Sequence, residues 1–357
     1  NMNQIINKKL WPLIIGLVLL LFGVWQFFSN TYKEEEKELR TQIRKTVKEM
    51  FPEKAAEFSR TFGLFLFESD RELPREEILA RKTVVLIHGL DDPGKVWQNL
   101  APELAKDGYN VLLMEYPNDQ PVVESSQLFF EELQELKEFG IDRIAIVAHS
   151  MGGLVSREML TSPEFEYYRS VNENLVPEVV KFIMVGTPNH GSQMARFRLF
   201  GEVRDHIARL SKDETTWQGA IFDGAGEAKI DLLPESRFLT ELNSRPHPDI
   251  DMLIIAGITS PWQEDDINGM VDDVRKAVPE YQQELVNDIG EYLIEMTHGL
   301  GDGLVTVEST RLQGVPHRTV EGTHLSMIRN VTASSIRVPP AVPIIIEHLE
   351  KGDNQEP

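Results

Sequence analysis

Ser150 sits in RIAIVAHSMGGL, residues Arg143 to Leu154. The run Arg143–Ala148 is rich in β-branched and apolar types, and small residues and an apolar helical pattern from Leu154 to Leu160 follow it. The pattern predicts a buried strand that turns sharply into a helix. A serine in such a turn presents its hydroxyl, and the helix N-terminus beside it favours negative charge. The tight turn needs small neighbours: Gly152 fills one flank, and Ala148 stands where glycine is commoner. The chemistry this suits is acyl transfer, which needs a base for the hydroxyl proton, an acid to orient that base, and donors for the oxyanion.

A serine raised on a strand-to-helix turn finds its partners in the chain order serine, acid, histidine. His324, in EGTHLSM, follows the last short strand pattern and precedes the closing helix pattern, where the base is expected. His317 is the rival, but it precedes that strand pattern. The expected acid is Asp302, in GLGDGLVTVEST, between Gly301 and Gly303, with Val305 and Val307 resuming an extended pattern. Asp265, Asp266 and Asp272 are alternatives nearer the preceding strand. The oxyanion donors are expected to be the backbone amides of Met151 and Leu90. His88 and His149 adjoin them and read as supportive packing rather than proton carriers. Asp249 with Asp251, and Asp272 with Asp273, read as solvated carboxylates, so no metal or cofactor is expected.

Alternating strand and helix patterns from Thr83 onward position these residues. Strands are expected at Thr83–Ile87, Asn110–Tyr116, Arg143–Ala148, Val179–Val185, Ile250–Ile258 and Arg318–Val320. Helices are expected around Val96–Lys106, Glu124–Phe139 and Ala341–Leu349. Such alternation implies a mostly parallel sheet with helices on both faces. Two insertions, about 192–248 and 261–299, interrupt it and are expected to cap the site. Phe197 and Phe200 in the first are the expected substrate-binding residues.

The chain has 357 residues, a formal net charge of -21 and no cysteine. That charge argues against a nucleic-acid partner, and the missing thiols exclude disulfides and a cysteine nucleophile. Leu10 to Phe28 is nineteen residues without a charge, with Trp11 near one end and Trp25 near the other. It is expected to cross a bilayer as a retained single span, with the catalytic domain on the extracytoplasmic side. Residues 1–30 thus read as anchor, 31–82 as a charged juxtamembrane helix (Lys33–Met50) and linker, and 83–357 as the catalytic domain. Gly16 and Gly23 on the span offer a small packing face for a homodimer. The apolar stretch Phe58–Phe67 is read as core or as a lipid-facing surface.

Five motifs carry a resemblance: VLIHGL at 85–90, AHSMGG at 148–153, GTPNHGS at 186–192, GDGLV at 301–305 and THLSM at 323–327. Together they resemble α/β-hydrolase lipases, especially small bacterial triacylglycerol lipases and the lipase-like GPI inositol-deacylase group. The alanine form of the elbow occurs in those small lipases. The resemblance implies an α/β-hydrolase fold with Ser150 as nucleophile, Asp302 as acid, His324 as base and Leu90 and Met151 as oxyanion amides. It implies that GTPNHGS shapes the site wall without reacting. The expected activity is hydrolysis of carboxylic esters, lipid esters first, by a membrane-anchored enzyme. An acyltransferase or thioesterase with the same residues, or a tethered scaffold without turnover, are the alternatives.

Overall fold

The computed structural model describes residues 33–50, 62–67, 74–90, 94–117, 120–192, 227–259, 301–330 and 335–351, with short pieces at 268–269, 271–272, 275–276, 283 and 332. The expected span Leu10–Phe28 with Gly16 and Gly23, the residues Phe197 and Phe200, the alternative acids Asp265 and Asp266, Asp273, and much of both insertions lie outside these residues. Among the described residues no helix is long and apolar enough to cross a membrane.

Seven strands form one sheet: β1 (Gly63–Leu66), β2 (Thr83–Ile87), β3 (Asn110–Glu115), β4 (Arg143–His149), β5 (Glu178–Val185), β6 (Asp251–Ile258) and β7 (His317–Glu321). Their order is β1-β3-β2-β4-β5-β6-β7, and every pairing is parallel except β1 with β3. Side chains alternate across a strand, and here both faces are covered. From β2, Val85 and Ile87 enter one core while Val84 and Leu86 enter the other. From β4, Ile144, Ile146 and Ala148 face the first core, and Ala145 and Val147 the second. A strand buried on both sides reads in sequence as an unbroken apolar run, which is why β2, β4, β5 and β6 were legible.

The helices fill in the two faces. On the first lie α4 (Val122–Phe139) and α5 (Met151–Thr161), which contribute Phe129, Leu133, Leu154 and Val155. On the second lie α3 (Leu100–Lys106) and α10 (Ala341–Glu350), which contribute Leu100, Leu104, Val342 and Ile345. Each such side chain stabilises the fold by roughly 1.5–3 kcal/mol on burial. Gly140 ends α4 at φ 107, a left-handed conformation that costs glycine little.

The remaining elements are α1 (Lys33–Met50), α2 (Arg75–Leu79), α6 (Tyr167–Asn172), α7 (Glu227–Asp231), α8 (Arg237–Ser244) and α9 (Val307–Thr310). The charged stretch Lys33–Met50 is helical and rests on α7. Lys37 Nζ pairs with the buried Asp231 at 2.5 Å, and Thr41 donates to the buried Glu227. The other carboxylate oxygen of Asp231 accepts from the Val122 amide at 3.0 Å, so one carboxylate joins α1 to the start of α4. Burial raises the Asp231 pKa, while Lys37 and the Val122 amide oppose that shift.

Two sequence expectations change. The Val305–Val307 stretch does not continue as extended chain, because Val307 opens α9. The Thr306 hydroxyl accepts from the Ser309 amide at 3.1 Å and caps that helix. The apolar stretch ending at Phe67 supplies an edge strand, β1, in which Phe65 and Leu66 are exposed.

Candidate active site

Ser150 links β4 to α5 and adopts φ 54, ψ -126, a conformation that non-glycine residues rarely occupy. Its amide donates to Val185 O at 2.8 Å, and its carbonyl accepts from Gly153 at 3.1 Å, so both strand pairing and helix start hold the turn. Space enforces the small neighbour. A Cβ on Gly152 would stand 2.4 Å from Ile87 O and 2.5 Å from His88 O, main-chain atoms at the end of the neighbouring strand β2 and just past it. The turn is thereby pressed against the end of β2, and the serine is lifted at the C-terminal edge of the sheet.

Asp302 and His324 meet at the same edge. His324 Nδ1 lies 2.6 Å from Asp302 Oδ2, and both side chains are almost fully buried. The second carboxylate oxygen accepts from the amides of Leu304 at 2.9 Å and Val305 at 2.8 Å. With Oδ1 filled by amides, Oδ2 is left to the imidazole. The acid loop is tied to the end of β6, since the Thr259 amide donates to Gly301 O at 2.7 Å. The base loop is tied to the acid, since the His324 amide donates to Asp302 O at 2.9 Å. Gly186, just past β5 at φ 61, leaves room for the pair: a Cβ there would lie 3.2 Å from both Asp302 Oδ2 and His324 Cε1. Among the described residues, no hydrogen bond joins the Ser150 hydroxyl to His324. Such bonds commonly tighten only when substrate is bound.

Leu90 is buried and lies in the loop after β2, while Met151 is the first residue of α5. A Cβ on Gly89 would fall 2.6 Å from Ser150 Cβ, so this loop runs directly against the serine. The first amides of a helix have no partner within it, which leaves Met151 N–H available beside Ser150.

His88, His149 and His317 lie in settings of their own. His88 Nδ1 donates to Gly89 O at 2.7 Å, and the ring stacks on Tyr116 at 4.6 Å. His149 is buried and contacts His324. His317 opens β7 and lies 2.8 Å from the Thr310 hydroxyl. Burial, helped by Arg311, lowers its pKa to about 4, so it is neutral at ordinary pH. Asp272 pairs with Arg275 at 2.6 Å, and Asp251 with His348 at 3.3 Å. Among the described residues no cluster of His, Asp or Glu is arranged to hold a metal ion. A cavity of about 610 Å³ opens at the opposite, N-terminal end of the strands, beside Thr83, Arg143 and Asp251. It is remote from Ser150.

Sequence reading did not find the buried cation behind the site wall. Arg157 of α5 is 1% exposed. It donates to Asn189 Oδ1 and to Asn243 Oδ1 of α8, each at 3.0 Å. Burial, then the nearby Arg245, lowers its pKa to about 10, so it stays charged. Asn189 also donates to Thr310 O at 2.7 Å, and the Ser192 hydroxyl donates to Leu304 O in the acid loop. The 186–192 segment is therefore braced between the elbow helix and the acid loop. Its only sequence signal was the GTPNHGS motif, since an arginine inside a helix ordinarily reads as solvent-facing.

The Alpha/beta hydrolase family matches residues 84–311. No curated protein matches the chain. Among solved structures, the chain is similar to Bacillus licheniformis lipase BlEst2 in mature form, at 19% identity and TM-score 0.45, covering 74% of this chain and 92% of that one. It is similar to phospholipase PlaB from Legionella pneumophila, at 16% identity and TM-score 0.48, covering 76% and 59%. A third is Staphylococcus hyicus lipase, at 12% identity and TM-score 0.48, covering 79% and 97%. The family match spans more than half of the 357 residues and takes in the strained elbow at Ser150, and the chain belongs to the alpha/beta hydrolase family.

Proposed function

We propose that the chain is a membrane-anchored serine hydrolase of carboxylic esters, with bilayer phospholipid or lysophospholipid first among its substrates. The observation that supports the chemistry is the 2.6 Å Asp302–His324 pair at the strand edge that presents Ser150. Ser150 Oγ attacks the acyl carbonyl carbon as its proton passes to His324 Nε2. Asp302 holds Nδ1–H and stabilises the imidazolium that forms. The oxyanion accepts from the amides of Met151 and Leu90. Collapse breaks the ester C–O bond, and His324 returns its proton to the leaving alcohol. Water, deprotonated by His324, then attacks the acyl-serine and releases the acid with Ser150 restored.

The lipid part rests on the uncharged stretch Leu10–Phe28. A hydrolase of small diffusible esters gains nothing from an anchor, whereas one whose substrate lies in the bilayer gains local concentration. The test compares the full chain in vesicles with a chain beginning at Lys33. The shorter chain keeps α1, whose Lys37 and Thr41 cover the buried Asp231 and Glu227. Phospholipid hydrolysis is expected to fall at least about tenfold further than hydrolysis of a short soluble ester. Equal loss on both substrates, or no phospholipid hydrolysis by the full chain, contradicts the lipid reading.

A further inference from the structure

We propose that His149 is a positioning residue: the last residue of the strand that carries Ser150 grips the main chain of His324 and fixes the base relative to the nucleophile. This rests on reading Ser150 as nucleophile and His324 as base. His149 is 2% exposed, and its Nε2 lies 2.9 Å from the His324 carbonyl oxygen. A carbonyl only accepts, so Nε2 carries the hydrogen and the tautomer is set. The two rings stand 4.6 Å apart at 51°.

His324 needs such an anchor. Its side chain is buried, but it follows β7, a short edge strand whose residues are mostly exposed and which lacks the burial that fixes β4. Its main chain is instead held on both sides. The amide donates to Asp302 O, and the carbonyl accepts from His149. The first contact sets the base against the acid, and the second sets it against the strand of the nucleophile. Because His149 and Ser150 are consecutive, the His149 contact carries the rigidity of β4 directly into the nucleophile–base spacing.

Packing alone does not account for an imidazole here. Among the described residues Nδ1 of His149 is buried with no hydrogen-bond partner, and a phenyl ring would fill the space without that cost. The ring is neutral: burial, then His324, lower its pKa well below the usual value, with His88 and Arg329 acting in the same direction and the hydrogen bond to the His324 carbonyl opposing them. A neutral donor orients His324 without placing a second cation against the imidazolium that forms during turnover.

The test is kcat and KM on a short soluble ester for full-length His149→Phe and His149→Gln, with circular dichroism and thermal unfolding of each. Phenylalanine keeps the ring and removes the donor, whereas glutamine keeps an N–H donor without the ring. His149→Phe is expected to lower kcat about tenfold to a hundredfold with KM within about twofold, the scale on which misplacement of a reacting group acts. His149→Gln is expected to recover most of the loss. Folded His149→Phe with wild-type kcat overturns the proposal. So does a folded His149→Gln below about a tenth of wild-type kcat, an outcome that decides the matter even if the phenylalanine variant does not fold. Ser150→Ala separates the two levels: activity surviving there removes the underlying reading, whereas an inactive Ser150→Ala beside a fully active His149→Phe removes this inference alone.

Discussion

Asp302→Asn is expected to lower kcat by about ten-thousandfold while the protein remains folded. The wild-type carboxylate accepts two main-chain amides on Oδ1 and faces His324 Nδ1 with Oδ2. An asparagine oxygen can still take the Leu304 and Val305 amides, so the acid loop keeps its shape. Its amide nitrogen then points at His324 and donates where the carboxylate accepted. Nδ1 must become the lone-pair nitrogen, the hydrogen moves to Nε2, and the imidazole no longer takes the serine proton. Steady-state kinetics on a short ester, with thermal unfolding in parallel, read both halves of the prediction. A folded variant within about tenfold of wild type would place the acid elsewhere.

The second large effect is structural. Gly152→Val is expected to abolish folding, and Gly152→Ala to cost about 3 kcal/mol or more, at the upper end of overpacking penalties. The added Cβ meets Ile87 O at 2.4 Å, His88 O at 2.5 Å and Ile87 C at 2.9 Å. These are main-chain atoms at the end of a buried strand and of the buried residue after it, with no rotamer through which to yield. The loss is a large share of a typical stability of about 5–15 kcal/mol, and it should lower Tm by roughly 6–12 °C. Gly269→Ala is the control, because a Cβ there meets nothing within 4 Å. Equal melting temperatures for the two alanine variants would show that the elbow does not press on β2.

Legibility in the sequence followed burial. The strands Thr83–Ile87, Arg143–His149, Glu178–Val185 and Asp251–Ile258 lie buried between two helical layers, and their apolar runs placed them to within a residue or two. The edge strand Gly63–Leu66 was read only as part of an apolar cluster, because a half-exposed four-residue edge has no distinguishing period. The helix at Val307–Thr310 was missed because its cause is one capping hydroxyl, Thr306, and not an apolar pattern. The chain order of Ser150, Asp302 and His324 was read from the sequence, and the structure brings their loops to one edge of the sheet. What spacing could not reveal was the bracing around them. The buried Arg157 guanidinium donates to two asparagines 32 and 86 residues away. His149 meets His324 from 175 residues away. Partners so distant are chosen by topology, and one sequence carries no record of the choice.

The most direct measurement is the site of covalent capture. Full-length protein is incubated with a fluorophosphonate, digested, and its peptides mapped by mass spectrometry. A fluorophosphonate reports an activated serine, since phosphorylation needs the same proton removal and the same oxyanion donors as acylation. The account predicts one adduct, on Ser150, absent from Ser150→Ala and formed far more slowly by Asp302→Asn. No adduct on folded wild-type protein, or labelling that persists unchanged in Ser150→Ala, would contradict it.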